Sequence, residues 1–373
     1  MKIKQISLKD RQAIKQFIDL PFTLYQNTEQ WVPPLRSEIR KIFDPSFPFY
    51  NYGDAAFGLA QDQNGENLGR LVVANNHPYN DFHESKTAFF YYFECVDDPA
   101  VAEGLFSWGF DWVESQGLNH ILGPKGLMVL DGFGMLVDGF EYQPAFGQPY
   151  NPKYYPTLIE ALGFKKVKDV LTGRIDRNSH FPEKVRRSAK LVKERLGFWS
   201  PRLKTKKELK KVIEDLKALY NTSLAGPAGN PPITDSDLDA MVSQLMWIAD
   251  PKLVKLLYKG DQPVGWMLGY PDISDALKKA NGRLFPTGWA GILLESKRTN
   301  RIILNGIGII EDYQRLGGTA ILLNEIYNSV MEDEQYDRAE ILQLREENIN
   351  ILLEVSSFDI DFHKTHRLYE KYL

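Results

Sequence analysis

A single cysteine, Cys95, in 373 residues excludes an internal disulfide framework and any multi-cysteine zinc site. No apolar run approaches the roughly 20 residues that a membrane-spanning helix needs, so no membrane partner is expected. His-Glu-x-x-His and Gly-x-Ser-x-Gly are both missing. Of the histidines, His363 and His366 lack a third ligand, and His77 and His83 flank a stretch read as loop. These absences remove the metal-hydrolase and serine-hydrolase readings and predict no metal. Cys95 lies in the strand-like run FFYYFECV and reads as a small core residue rather than a nucleophile. The opening residues MKIKQISLKDRQAIKQF scatter charge where an export signal keeps an apolar stretch, which predicts a cytoplasmic protein.

What is present is ordinary globular material, 43% hydrophobic and 25% charged. The length exceeds what one core usually supports, so two domains are expected, residues 1–180 and 181–373. The net charge of -4 hides a basic segment from Glu183 to Lys211, where twelve Lys or Arg face three Glu. Its balance of +9 leaves -13 on the rest of the chain. The segment lacks interleaved aromatics and any nucleic-acid motif, so it reads as the solvated face of two helices and argues against a nucleic-acid partner.

Strand and helix patterns alternate in both halves. In the first, strands are expected at KIKQIS, Ala55 to Ala60, Gly69 to Ala74, Thr87 to Val96, HILGP and Lys166 to Ile175. Helices are expected at DRQAIKQFIDLPFTLY, Ala100 to Gln116 and Tyr154 to Leu162. In the second, Arg202 to Tyr220 and Asp235 to Ala249 read as helices, the latter capped by Thr234. Strands follow at Leu253 to Tyr258, Val264 to Tyr270, Arg301 to Ile310 and ILQL, with helices at Thr319 to Met331 and from ENINILLEV onward. No strict repeat is visible, yet the alternation recurs at about half-chain spacing, as in a duplicated unit.

One segment carries chemistry: GIGIIEDYQRLGGTAILLNEIYNSV. A β-rich strand runs into a glycine turn that opens a helix. Main-chain N–H groups in such a turn converge on one spot, the helix dipole adds positive potential, and Gly317 and Gly318 remove the Cβ atoms that would hold a pyrophosphate away.

Here the sequence resembles the GNAT N-acetyltransferase superfamily, whose signature at this place is Gln or Arg, two residues, Gly, one residue, then Gly or Ala. Two registers fit, QRLGGT from Gln314 and RLGGTA from Arg315. The first agrees over a longer stretch, with Tyr313 before it and Leu322-Leu323 after, and puts Thr319 at the last small position. The resemblance covers Leu253 to Leu373 well and Arg202 to Ala249 loosely. It implies an α/β (α+β) protein of two GNAT-like units, each a mixed, largely antiparallel sheet flanked by helices. It also implies acetyl-CoA or another acyl-CoA as co-substrate, bound by Gln314, Arg315, Gly317, Gly318 and Thr319 at the pyrophosphate. Gly308, Ile309 and Ile310 would face the pantetheine arm where two strands splay apart, with Asn348 near the same arm. The implied reaction is direct acyl transfer to an amine of a small molecule or peptide, with Glu340 as a base acting through water and Tyr369 as the nearest tyrosine acid.

The first half ends in YNPKYYPTLIEALGFKKVKDV, like the last helix and Gly-Phe corner of such a unit. After its central strand, however, the chain reads DDPAVAEGL, and Asp97 with Asp98 would repel a pyrophosphate. That half is expected to bind no CoA and to support the second or shape an acceptor pocket. The helix after ILQL carries no tyrosine, which leaves open a non-catalytic binding protein, and the paired units leave open an aminoacyl-tRNA-dependent transferase.

Overall fold

A computed structural model describes residues 1–128, 131–224, 231–347 and 357–373. Its strands, in chain order, are β1 (Lys2–Gln5), β2 (Gly53–Gln61), β3 (Asn67–Asn76), β4 (Thr87–Cys95), β5 (His120–Gly123), β6 (Met135–Asp138) and β7 (Lys165–Asp176). They continue with β8 (Phe198–Trp199), β9 (Val254–Lys259), β10 (Gln262–Pro271), β11 (Arg301–Ile309), β12 (Arg338–Arg345) and β13 (Asp361–Tyr372). The chain forms two compact units. The first comprises Met1–Val170 with Ser274–Trp289 and Lys364–Leu373; the second comprises Leu171–Ile273 with Ala290–His363.

In the first unit the strands run β1-β2-β3-β4-β5-β13, with β6 also pairing β13. In the second they run β7-β12-β11-β10-β9-β8. Every pair whose register is described is antiparallel except β4 with β5 and β11 with β12. Each unit is thus a mixed, largely antiparallel sheet flanked by helices.

Helices cover both faces of each sheet because the strands are buried on both sides. In the first unit, helix Pro99–Ser115 packs Leu105, Phe106 and Val113 against Leu71, Val73 and Phe90, while Phe17 of helix Arg11–Leu24 packs with Phe57 and Val72 on the opposite face. In the second, Ile321, Leu322 and Ile326 of helix Gly318–Glu332 meet Leu257 and Ile302, and Ala189 of helix Glu183–Leu196 joins that cluster. Leu219 of helix Ile213–Leu224 lies with Leu256 and Trp266 on the other face.

The expected elements are present with local differences. Arg202 to Tyr220 is two helices, Lys206–Lys211 and Ile213–Leu224. Thr205 and Glu208 form a reciprocal capping box that starts the first at Lys206. Thr234 caps Asp235–Met246 as read, accepting from Asp237 N. His77–His83, read as loop, is a short helix opened by the Asn76 side chain. The stretch from Asn348, including that residue's expected role, lies outside the described residues. Among the described residues no helix is long and apolar enough to cross a membrane.

Candidate functional site

The second unit opens a wedge in its own sheet. β11 and β12 pair in parallel from Arg301↔Arg338 to Leu304↔Ile341, and the described register ends there although β11 runs on to Ile309 and β12 to Arg345. β11 turns away at a bulge: Asn305 and Gly306 both oppose Leu268 of β10. Gly306 has φ 109°, and a Cβ there would stand 2.8 Å from the Trp266 ring. The bulge therefore requires glycine. Past it, Ile310 N donates to Val264 O, which makes Ile310 and, two residues back, Gly308 the residues bonded to β10. By the alternation of an antiparallel ladder, the main-chain groups of Ile307 and Ile309 point the other way, into the wedge. Of the three residues expected to face a cofactor arm, Ile309 has its main chain on that edge. Its carbonyl accepts from Gln314 Nε2 at 3.0 Å.

The turn after β11 combines two left-handed residues, Arg315 at φ 61° and Gly317 at φ 86°. Gly317 is the N-cap of helix Gly318–Glu332, and no side chain caps that helix. A Cβ on Gly317 would come within 2.7 Å of Val192 Cγ2, and one on Gly318 within 2.8 Å of Ile309 and Leu257 side-chain atoms. The glycines let the turn pack close on strand and helix. Gln314 and Arg315 are exposed and Thr319 half-buried beside it, so the structure brings Gln314, Arg315, Gly317, Gly318 and Thr319 together at one end of β11.

The two faces beside the wedge differ. On one, beneath helix Gly318–Glu332, lie Ile302, Leu304, Ala339 and Ile341. On the other, Gly308 leaves room for Ser223 of helix Ile213–Leu224, whose hydroxyl accepts from Trp266 Nε1 at 2.9 Å. Tyr220 stacks on Trp266 with ring centroids 5.4 Å apart, and burial pushes its phenol up to about 12, so it remains a proton donor at neutral pH. Glu340 alternates with Ala339 and Ile341 and so projects onto this second face, one residue before the last paired rung. His363 Nε2 stands 3.8 Å from its carboxylate, and both side chains are largely buried. Tyr369 is elsewhere: wholly buried in the core of the first unit, it donates to Glu160 Oε1 at 2.8 Å, and burial raises its phenol. Sequence reasoning passed over Ser223, Trp266 and the Asn305-Gly306 bulge; the last had a signal, since Asn-Gly inside a strand pattern marks a bulge.

The first unit has the same frame. β4 and β5 pair in parallel from Thr87↔His120 to Phe89↔Leu122 and the described register stops, while Tyr92 and Phe93 form a bulge against Leu71 of β3. This wedge is filled. Phe90 O accepts from Lys125 N at 2.9 Å, and Tyr91 Oη accepts from Gly132 N at 2.9 Å. Cys95 N donates to Tyr155 Oη at 2.8 Å, and Cys95 O accepts from Tyr154 Oη at 2.7 Å. Below them Glu94, raised above its usual range by burial, accepts from Tyr25 and Tyr155 and sits 3.5 Å from Arg70. The helix that follows is capped by Asp98, which accepts from Ala100 N at 2.9 Å. Asp98 is thus a helix cap, and Cys95 a buried core residue.

Solved structures share this overall fold. Over 100% of this chain and 98% of its own, a tandem GNAT protein from the clavulanic acid biosynthesis pathway superposes with a TM-score of 0.57 at 8% identity. The fold is GNAT, in tandem. A GCN5-related N-acetyltransferase from Sphaerobacter thermophilus covers 99% of this chain and 95% of its own, with a TM-score of 0.51 at 12% identity. By sequence the chain is 26% identical to protein YghO of Escherichia coli (strain K12) over 368 residues, 97% of this chain and 93% of that one. It is 25% identical over 378 residues to a bacterial ceramide synthase of Caulobacter vibrioides (strain NA1000 / CB15N), 99% and 97% of the two chains. No family model matches. Among the described residues no group of three or more His, Cys, Asp or Glu is placed to hold a metal ion.

Proposed function

We propose that the second unit binds an acyl-CoA and transfers its acyl group to an amine. The observation that carries this reading is the open wedge between β11 and β12, with the uncapped glycine turn at its end. The start of a helix with no side-chain cap suits a pyrophosphate, and the edge of β11 at Ile307 and Ile309 suits an amide-containing arm laid along it as an added strand. The thioester then lies in the wedge. The acceptor nitrogen attacks the thioester carbonyl carbon, the C–S bond breaks, and the sulfur leaves as CoA thiolate while the nitrogen sheds a proton. Glu340, on the face that also presents Ser223 and Trp266, takes that proton directly or through one water, with His363 beside it. Tyr369, held by Glu160, has no part in this scheme.

For the acceptor, the relative named a bacterial ceramide synthase supports an amino lipid, since a ceramide is the amide of a fatty acid with a long-chain amino alcohol. Sphinganine with acetyl-CoA and decanoyl-CoA, followed by mass spectrometry of the amide and a thiol assay for free CoA, tests the reading. Amide and CoA in equal amounts are expected, falling about a hundredfold or more in kcat with Glu340→Gln. No product, together with no rise in melting temperature at millimolar CoA, overturns it.

A further inference from the structure

Beneath helix Gly318–Glu332 the second unit holds a cavity of about 90 Å³. Its floor is the sheet face of Ile302, Leu304, Ala339 and Ile341, and its roof includes Leu323, Ile326 and Val330 of the helix. Two of these, Leu304 and Ile341, are the last paired rung before β11 and β12 part. The cavity therefore starts at the apex of the wedge. Phe181 extends the apolar lining, stacked on Tyr327 at 4.0 Å between centroids.

The charged groups at its rim are committed to the protein. Arg177 donates to the carbonyls of Val330, Met331, Asp333 and Tyr336, and so closes the C-terminal end of the helix. Arg338 donates to Asp176 at 3.0 Å. What this leaves for a ligand is hydrocarbon surface. Apolar surface at the apex of a wedge that receives a thioester suits a chain attached to that thioester, because burying each methylene favours binding while a two-carbon acyl group would leave the space unfilled.

We infer that this cavity receives the hydrocarbon chain of a medium- or long-chain acyl group carried by the CoA, and that the donor is a fatty acyl-CoA rather than acetyl-CoA. This rests on the acyl-CoA reading of the wedge.

Titration calorimetry with CoA, acetyl-CoA, decanoyl-CoA and free decanoate tests it. Each buried methylene strengthens binding by up to roughly fourfold, so decanoyl-CoA should bind at least about a hundredfold more tightly than acetyl-CoA. Val330→Trp and Leu323→Trp each place an indole in the cavity, away from the glycine turn. Either one that retains the parent's circular dichroism and melting transition should bring decanoyl-CoA to within about threefold of acetyl-CoA and leave CoA affinity unchanged. Equal affinity for the two thioesters in the unaltered protein, or a chain-length gain that survives both substitutions, overturns the assignment. Failure of CoA and every thioester to bind would sink the acyl-CoA reading instead. Decanoate binding lost in both variants would then still place a chain in the cavity, and no decanoate binding would remove that as well.

Discussion

Along the strand that leaves each wedge, the two units treat their main-chain groups differently. In the first unit, Phe90 and Cys95 are bonded by Lys125 N and by the hydroxyls of Tyr154 and Tyr155, and an aspartate caps the following helix. In the second, Ile307 and Ile309 face the parting of the strands and the following helix begins at an uncapped glycine. The bulges differ too: Gly306 at φ 109° in one, Tyr92 at φ 48° in the other. The same frame is therefore a packed core element in one copy and an opening in the other. A buried main-chain group must be satisfied, and the first copy does this with its own main chain and tyrosine hydroxyls, whereas the second bonds Ile309 O with Gln314 and leaves the rest of that edge facing the wedge.

The largest expected effect comes from closing the open copy. Gly317→Glu puts a carboxylate and its bulk where the turn faces the proposed phosphates, and CoA affinity should fall a hundredfold or more, on the order of 3 kcal/mol. Because Gly317 has φ 86° and lies against Val192, the substitution also strains the backbone. Leu316→Asp, at an exposed position one residue earlier, adds charge without that strain and should act in the same direction. Ala100→Glu at the start of the first unit's helix is the matched control and should leave CoA binding unchanged. Calorimetry on folded variants decides. Equal CoA affinity in all three erases the functional difference between the copies.

The elements that made this difference legible in sequence are local. Strand, turn and helix around Gln314 to Thr319 are contiguous, and Asp97-Asp98 sits where the first copy would need its own turn. The wedge itself was not legible from the residues, because the register of β11 on β12 joins residues 37 apart through side-chain packing that no local pattern encodes. The filling of the first wedge is equally non-local: Tyr155 reaches back 60 residues to Cys95. Two signals were present and unused. Thr205 with Glu208 spells the capping box that starts a helix at Lys206 rather than Arg202, and Asn305-Gly306 spells the bulge. Tyr369 looked like the tyrosine nearest the site along the chain, yet it pairs in register with Gly123 of β5. Proximity in sequence does not survive a strand that returns to the first unit's sheet.

A second contrast concerns buried cations. The first unit uses Arg70, which donates to Phe17 O at 2.7 Å. The second uses Lys255 of β9, which donates to Ser329 Oγ at 2.6 Å. Desolvation lowers the Lys255 ammonium from 10.5 to about 8; Arg202 adds to the lowering, while Glu325, Asp250 and Glu332 oppose it. Between those two values the folded state binds fewer protons than the unfolded one, so this residue makes stability rise with pH from about 8 to 10.5, by on the order of 1 kcal/mol per unit at most. Below about 8 it is charged in both states and contributes no slope. Lys255→Met should flatten the rise of the urea midpoint across that window. A parent protein and Lys255→Met variant with identical alkaline slopes would show that the ammonium is not held as described.

The smallest effects come from loosening the closed copy. Tyr155 is wholly buried; its hydroxyl accepts from Cys95 N and lies 3.0 Å from Glu94 Oε2, so Tyr155→Phe strands a buried N–H and takes a donor from a carboxylate already raised by burial. The expected cost is about 1–3 kcal/mol, read as a lower urea midpoint. Tyr154→Phe removes only the bond to Cys95 O and leaves the Cys95 N–H and Glu94 bonded to Tyr155, and should cost about 1 kcal/mol. Neither should create a second CoA site, because the Asp98 carboxylate still occupies the start of the helix. Combined with Gly317→Glu, Tyr155→Phe should therefore remain unable to bind CoA. If the double variant folds and binds CoA, the tyrosine hydroxyls alone separate the two copies and the aspartate cap does not; if Tyr155→Phe leaves the urea midpoint untouched, the first wedge is not held shut by this hydroxyl.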